Sequence, residues 1–186
     1  MYDFTQDMES ILLDKEALDS VISELAARIN HDYGDSQKPL VAIPVLKGAV
    51  FFATALLEKL TLPLEIEFVS ASSYRAATEA GNLTISALPQ RNDWDKIDVL
   101  VIEDIVDTGN TLSAMVAELK KLGANVRVAA LLDKPSRRKV DFHADYIGRE
   151  IPNAFVVGFG LDYAEKYRNL PYVGILRREV YESSKD

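Results

Sequence analysis

The sequence predicts an α/β chain folded on a doubly wound, mainly parallel sheet with helices on both faces. Three observations predict it. Residues 40–46 and 99–102 are unbroken apolar runs and 126–132 is a third, interrupted only by Arg127; all are too short for helices and lack the sustained alternation of a half-exposed strand, which is how strands buried on both faces of a parallel sheet read. Between them apolar residues recur at three- and four-residue intervals, so strands alternate with helices as a parallel sheet requires. The chain has 186 residues and 48% hydrophobic content, ample for one compact domain spanning 1–186 and short for two.

After a polar start, Leu18, Val21, Ile22, Leu25, Ala26 and Ile29 mark an amphipathic helix over residues 15–31, with Asp14 as its N-cap. A loop follows, then the strand 40–46 and a helix over 48–60 apolar enough to lie beneath a sheet. Residues 64–69 and 82–88 read as two strands joined by small and polar residues, among them Ser72, Ser73, Tyr74 and Arg75. The strand 99–102 runs into a turn over 105–111, after which Leu112, Met115, Val116, Leu119 and Leu122 repeat at helical spacing. Lys120 and Lys121 suit the last turn of that helix, and Gly123 suits its stop. The strand 126–132 ends at Asp133 and Lys134 and opens into the basic loop 135–139. Short strands over 146–151, 155–159 and 172–176 complete the pattern, and the polar tail 181–186 is expected to fray.

Composition narrows the function classes. A formal charge of −8 and a pI near 4.9 weigh against a nucleic-acid surface. No run reaches membrane-spanning length, and the first residues have neither the basic region nor the apolar core of a signal peptide, so a cytoplasmic location is expected. Without cysteine there is no disulfide, thiolate nucleophile or zinc-cysteine site. His31 and His143 are isolated in polar contexts, which leaves a Ser-His-Asp hydrolase little to stand on.

The chemistry concentrates after the strand 99–102. Glu103 and Asp104 sit where that strand is expected to end, the edge at which open parallel sheets hold ligands. Asp107, Thr108, Gly109, Asn110 and Thr111 then offer short side chains, two hydroxyls and a glycine. Successive N–H groups there can curl around an anion, and the following helix aims its positive end at the same place. The loop contains no lysine, and neither GxxxxGK[ST] nor GxGxxG occurs. Carboxylates beside a phosphate cradle suit a phosphorylated sugar: Glu103 and Asp104 would accept hydrogen bonds from two ribose hydroxyls while residues 108–111 hold the 5-phosphate. An acidic helix N-terminus is common by itself. Three acids with DTGNT after a buried strand form a more specific pattern.

The string VLVIEDIVDTGNT resembles the phosphoribosyl-pyrophosphate (PRPP) motif of the type I phosphoribosyltransferases. VLKGAVFF, SSYRAAT, LLDKPSRRK and DYIGREIPNAFVVGFGLDYAEKYRNLPYVGIL extend the resemblance to the bacterial hypoxanthine-guanine enzymes over nearly the whole chain. It implies the type I phosphoribosyltransferase fold, with a small hood over the sheet's carboxyl edge built from the N- and C-terminal segments. It also implies transfer of a phosphoribosyl group from PRPP to hypoxanthine or guanine with release of pyrophosphate, magnesium as cofactor, and a homo-oligomer, dimer or tetramer, binding neither nucleic acid nor membrane.

By the same resemblance Glu103 and Asp104 hold the ribose hydroxyls and the metal, and Asp162 reaches a magnesium-bound water. Lys47 and Gly48 contact pyrophosphate through a loop at the carboxyl edge of the strand 40–46, which in some members contains a cis peptide, and Arg168 contacts it as well. Ser73 and Tyr74 belong to a lid, which would keep water from a ribosyl cation. Asp107 is the base at purine N7, Lys134 meets the purine O6, Phe155 stacks on the base and the Val156 backbone contacts its edge. Without the resemblance, residues 72–75 read equally well as a solvated hairpin connection, Asp162 and Arg168 as a solvated pair, Lys134 as part of a solvated basic loop, and Phe155 as core. Some members carry lysine where this chain has Ser72 and Asn110. Two rivals on the same fold are a non-catalytic PRPP-sensing regulator, disfavoured by the intact acids and the acidic charge, and a transferase for xanthine.

Overall fold

The computed structural model describes residues 3–72, 84–85 and 88–182. Its main sheet is built on β2 (Leu40–Leu46), β6 (Asp98–Val106), β7 (Asn125–Asp133) and β8 (Tyr146–Glu150), hydrogen-bonded in that order and all parallel. On the other side of β2 the expected strand 64–69 is divided into β3 (Leu64–Ile66), pairing with residues 40–42, and β4 (Val69–Ser72), pairing with Val45 and Leu46. Both pieces lie along the same edge, so the break at Glu67 and Phe68 interrupts one strand rather than separating two layers. β5 (Thr84–Ile85) adds antiparallel to β4; the rest of the strand expected over 82–88 lies largely outside the described residues.

Side chains alternate across the sheet, and each set finds its own helices. Ala42, Leu100, Ile102, Ala129 and Leu131 pack with α1 (Lys15–Tyr33) and α2 (Val50–Leu57). Val41, Ile43, Val99, Val101, Val126 and Val128 pack with Leu112, Met115 and Leu119 of α3 (Asn110–Lys121) and with Trp94 and Ile97. This two-faced burial is why the central strands are mostly apolar, each buried aliphatic contributing about 1.5–3 kcal/mol. The caps agree with expectation. Asp14 Oδ1 accepts the Ala17 N–H at 2.8 Å, and Gly123, at φ 98°, ends α3 with the Ala124 N–H returning to the Leu119 carbonyl. α2 is shorter than the expected 48–60, because Gly48 and Ala49 form the turn that precedes it.

The polar start hides a strand. β1 (Met8–Leu13) pairs antiparallel with β10 (Val173–Leu176), which pairs with β9 (Val156–Val157), so the two chain ends form a small three-stranded hood. Its core holds Met8, Val157, Tyr167, Leu170 and Leu176. The expected fraying does not extend to Tyr181 and Glu182, which belong to the short helix α4 (Arg178–Glu182) packed on this core. Among the described residues no helix is long and apolar enough to cross a membrane.

Candidate active site

β6 runs further than its sequence suggests. Ile105 pairs with Leu132 and Val106 with Asp133, so Glu103 and Asp104 lie within the strand rather than in the turn after it. The two side chains come together on a paired backbone, the Asp104 N–H donating to Glu103 Oε1 at 3.3 Å. The loop proper is only residues 107–109; Gly109 adopts φ 82°, and Asn110 and Thr111 already belong to the first turn of α3. A side chain at Gly109 would also press on Arg138, Val140 and Phe142.

A cleft of about 270 Å³ opens at this edge. One wall is the turn after β2, with Leu46, Lys47 and Gly48; the other is formed by residues 103–109, with Thr111 and Leu112 from α3. Arg168 reaches in from the hood. The Leu46–Lys47 peptide is cis. Gly48 is pinned between two partners, since a Cβ there would collide with the Asp104 carboxylate, and a Cβ on Gly160 of the hood would collide with the Gly48 carbonyl. Lys47 Nζ meets Glu165 Oε2 at 2.8 Å, and Arg168 Nη2 meets Asp162 Oδ1 at 2.8 Å, so cationic side chains from both turns converge on the cleft mouth.

Glu103 and Asp104 dominate the electrostatics. Burial pushes the Glu103 carboxyl well above the usual range, and the neighbouring Asp104 charge pushes it further. Burial also raises Asp104, opposed by hydrogen bonds from Glu103 and the Ile105 N–H and by the positive charge of Arg168. The pair titrates as a unit. Among the described residues no three His, Cys, Asp or Glu side chains are grouped to hold a metal by themselves. Buried Asp104 and half-buried Glu103, at the edge of an open cleft, nonetheless fit magnesium, which takes one or two protein carboxylates and completes its shell with waters and substrate phosphates.

Of the residues expected at the site, Glu103, Asp104, Asp107, Thr108, Gly109, Thr111, Lys47, Gly48 and Arg168 line this cleft. Asn110 does not; it is exposed, and its N–H turns back to Thr108 Oγ1 at 3.4 Å. Asp162 reaches the cleft only through Arg168. Lys134 stands beside the cleft, half-buried, its N–H bonded to the Val106 carbonyl; burial lowers its pKa, and the negative charge of Asp107 opposes that shift. Phe155 is 39% exposed rather than core, stacked on Tyr181 with ring centres 4.9 Å apart and met edge-on by Tyr163. Val156 pairs with Ile175 within the hood. Ser73 and Tyr74 lie outside the described residues.

Two arginines escaped the sequence reading. Arg137 Nε meets Asp107 Oδ1 at 3.2 Å, and Arg138 joins buried Asp133 to the carbonyls of Val106 and Asp107. The available signal was Asp133 itself, a charge ending an otherwise apolar strand and therefore in need of a buried partner.

The model of the phosphoribosyl transferase domain matches residues 9–164. The chain belongs to the phosphoribosyl transferase family. It is 42% identical over 177 residues to the hypoxanthine-guanine phosphoribosyltransferase of Staphylococcus epidermidis, covering 95% of this chain and 98% of that one. Its fold is similar to the crystal structure of a hypoxanthine phosphoribosyltransferase from Staphylococcus aureus, with a TM-score of 0.88 and 42% identity over 96% of each chain. It is likewise similar to a hypoxanthine phosphoribosyltransferase of Trypanosoma cruzi in a ternary substrates complex, with a TM-score of 0.87 and 36% identity over 95% of this chain and 99% of that one. The family therefore accounts for a sheet whose carboxyl edge carries an acidic strand end, a glycine-bent phosphate loop and a hood.

Proposed function

We propose that this phosphoribosyltransferase serves purine salvage, moving the 5-phosphoribosyl group of PRPP onto hypoxanthine or guanine to give IMP or GMP and pyrophosphate. The observation that carries the reading is the Glu103–Asp104 pair sharing one wall of the cleft with the glycine-bent loop 107–109. The paired carboxylates accept the ribose hydroxyls and counter the positive charge that develops on the sugar as the leaving group departs. Thr108, Gly109 and Thr111 hold the 5-phosphate at the start of α3, with Asn110 behind them. Lys47, Gly48 and Arg168 receive pyrophosphate, so Glu165 and Asp162, which now neutralise Lys47 and Arg168, must yield as it arrives. Glu103 and Asp104 would hold magnesium, with Asp162 at one remove. When bound, the ion would supply positive charge to stabilise the departing pyrophosphate. Ser73 and Tyr74 are assigned to a closing lid, and Phe155 with the Val156 backbone to the purine. A panel of free bases incubated with PRPP and magnesium, followed for nucleotide formation, tests the reading. Product from xanthine alone, or from none of the bases, would reject it.

Asp107 is assigned to the purine N7 proton, a role with a benefit of about 10²- to 10⁴-fold. Its carboxylate is already oriented by Arg137. Asp107→Asn is expected to lower kcat far more than it weakens PRPP binding. A tenfold loss of PRPP affinity with kcat preserved would instead make Asp107 part of the phosphate cradle.

A cytoplasmic homo-oligomer completes the reading. Ile66 and Phe68, 48% and 56% exposed, border an apolar groove of about 390 Å³ between α2 and β3. Contiguous exposed apolar surface of this kind is characteristic of subunit contacts. Ile66→Asp with Phe68→Asp is expected to lower the solution mass measured by light scattering; an unchanged multimer would locate the contact elsewhere.

A further inference from the structure

We propose that Arg138 is a positioning residue for the phosphate loop, acting through the loop's carbonyl groups from the side opposite the substrate. The inference rests on the reading of residues 108–111 as the 5-phosphate site. Arg138 Nη1 donates to the Asp107 carbonyl at 2.6 Å and to the Val106 carbonyl at 3.2 Å, while Nη2 pairs with Asp133. One residue further on, the Lys139 N–H donates to the Thr108 carbonyl at 3.0 Å. In a planar trans peptide the C=O and the following N–H point in opposite directions. Tethering the Asp107 and Thr108 carbonyls to this strap therefore turns the N–H groups of Thr108 and Gly109 the other way, and both residues line the cleft. The loop thus becomes an anion-binding concavity whose peptide planes are set from behind.

Stability alone does not account for the pair. Asp133 is 2% exposed and the Arg138 side chain 13%, and Arg138 Nε is buried without a partner among the described residues. Taking two charges out of water costs much of what their attraction returns, and well-packed apolar replacements are often neutral or stabilising. What an apolar pair cannot reproduce is a fork of donors aimed at two successive carbonyls.

The test uses the double variant Asp133→Leu with Arg138→Met, which avoids leaving one buried charge unpaired, beside Arg138→Lys. Substrates carrying the 5-phosphate, PRPP forward and the nucleotide product in reverse, are compared with pyrophosphate, which lacks it. The double variant should melt like the wild type yet raise KM for PRPP and nucleotide by about tenfold or more while KM for pyrophosphate stays within about twofold, the loss expected when a charged donor is removed. Arg138→Lys, with one donor group in place of the fork, should fall between. Unchanged KM for PRPP, or equal losses for all three ligands, overturns the proposal. A wild-type chain that forms no nucleotide from PRPP overturns the functional reading and the clamp together, whereas turnover with a normal KM in the variant overturns the clamp alone.

Discussion

Glu103→Gln combined with Asp104→Asn is expected to remove nearly all nucleotide formation while making the ligand-free protein harder to unfold at neutral pH. The loss of activity follows from the role of the pair: two neutral amides neither counter charge on the ribose nor hold a divalent cation, and losses of about 10²- to 10³-fold per electrostatic contact are ordinary. Chelating magnesium should have the same effect on the unaltered chain. The gain in stability follows from the pKa directions. Both folded-state values lie above the unfolded ones, through burial first and, for Glu103, through the Asp104 charge next. Between the unfolded and folded values the native state holds more protons than the unfolded chain, so stability falls as pH rises. That contribution is fully present below about pH 4, where unfolded carboxyls titrate, and is lost as pH climbs through the raised folded values. Replacing the pair removes this loss, so urea midpoints of variant and parent should converge in acid and separate in the variant's favour towards pH 8. Full turnover in the double variant, or in chelator, would sink the assignment; a variant less stable than its parent at pH 8 would sink the electrostatic account.

How much of this was legible beforehand differs from element to element. The two-faced strands were plain because residues 99–102 are wholly apolar and 126–132 carry only Arg127 among apolar residues, and the start of α1 and the stop of α3 were plain because Asp14 and Gly123 act through their nearest neighbours. β1 was missed because Met8–Leu13 carries Glu9 and Ser10 and has only one face to bury; what makes it a strand is pairing with β10, more than 150 residues away in sequence. The reach of β6 past Glu103 and Asp104 was missed for the same reason, since the partner that extends it is Leu132 and Asp133 of β7. At the site, the motif residues that line the cleft could be read from the string itself. Arg138 could not, because its function depends on which carbonyls it meets, and backbone carbonyls carry no sequence signature.

Lys134→Met is expected to collapse discrimination between 6-oxopurines and adenine. Lys134 does not lie free in the basic loop: it is half-buried, burial lowers its pKa, and the Asp107 charge opposes that shift while Arg137 adds to it. Val106 pairs with Asp133, so Asp107 and Lys134 follow adjacent strand ends at one sheet edge. That juxtaposition matches one edge of a purine, where position 6 and N7 lie side by side. On the proposed assignment of Asp107 to the N7 proton, Lys134 would face position 6. An ammonium donates and cannot accept. It suits the O6 of hypoxanthine or guanine, whereas the amino group of adenine would leave two donors opposed, and sites built around such a bond discriminate by about 10⁴-fold or more. Removing the donor should cost hypoxanthine about 10- to 100-fold in kcat/KM, as for a hydrogen bond to a charged group, and should cost adenine little. The measurement is kcat/KM for hypoxanthine, guanine and adenine in the parent and in Lys134→Met. Adenine used as well as hypoxanthine by the parent, or full hypoxanthine activity in the variant, would remove Lys134 from the purine site and leave the O6 contact to another donor at the same edge.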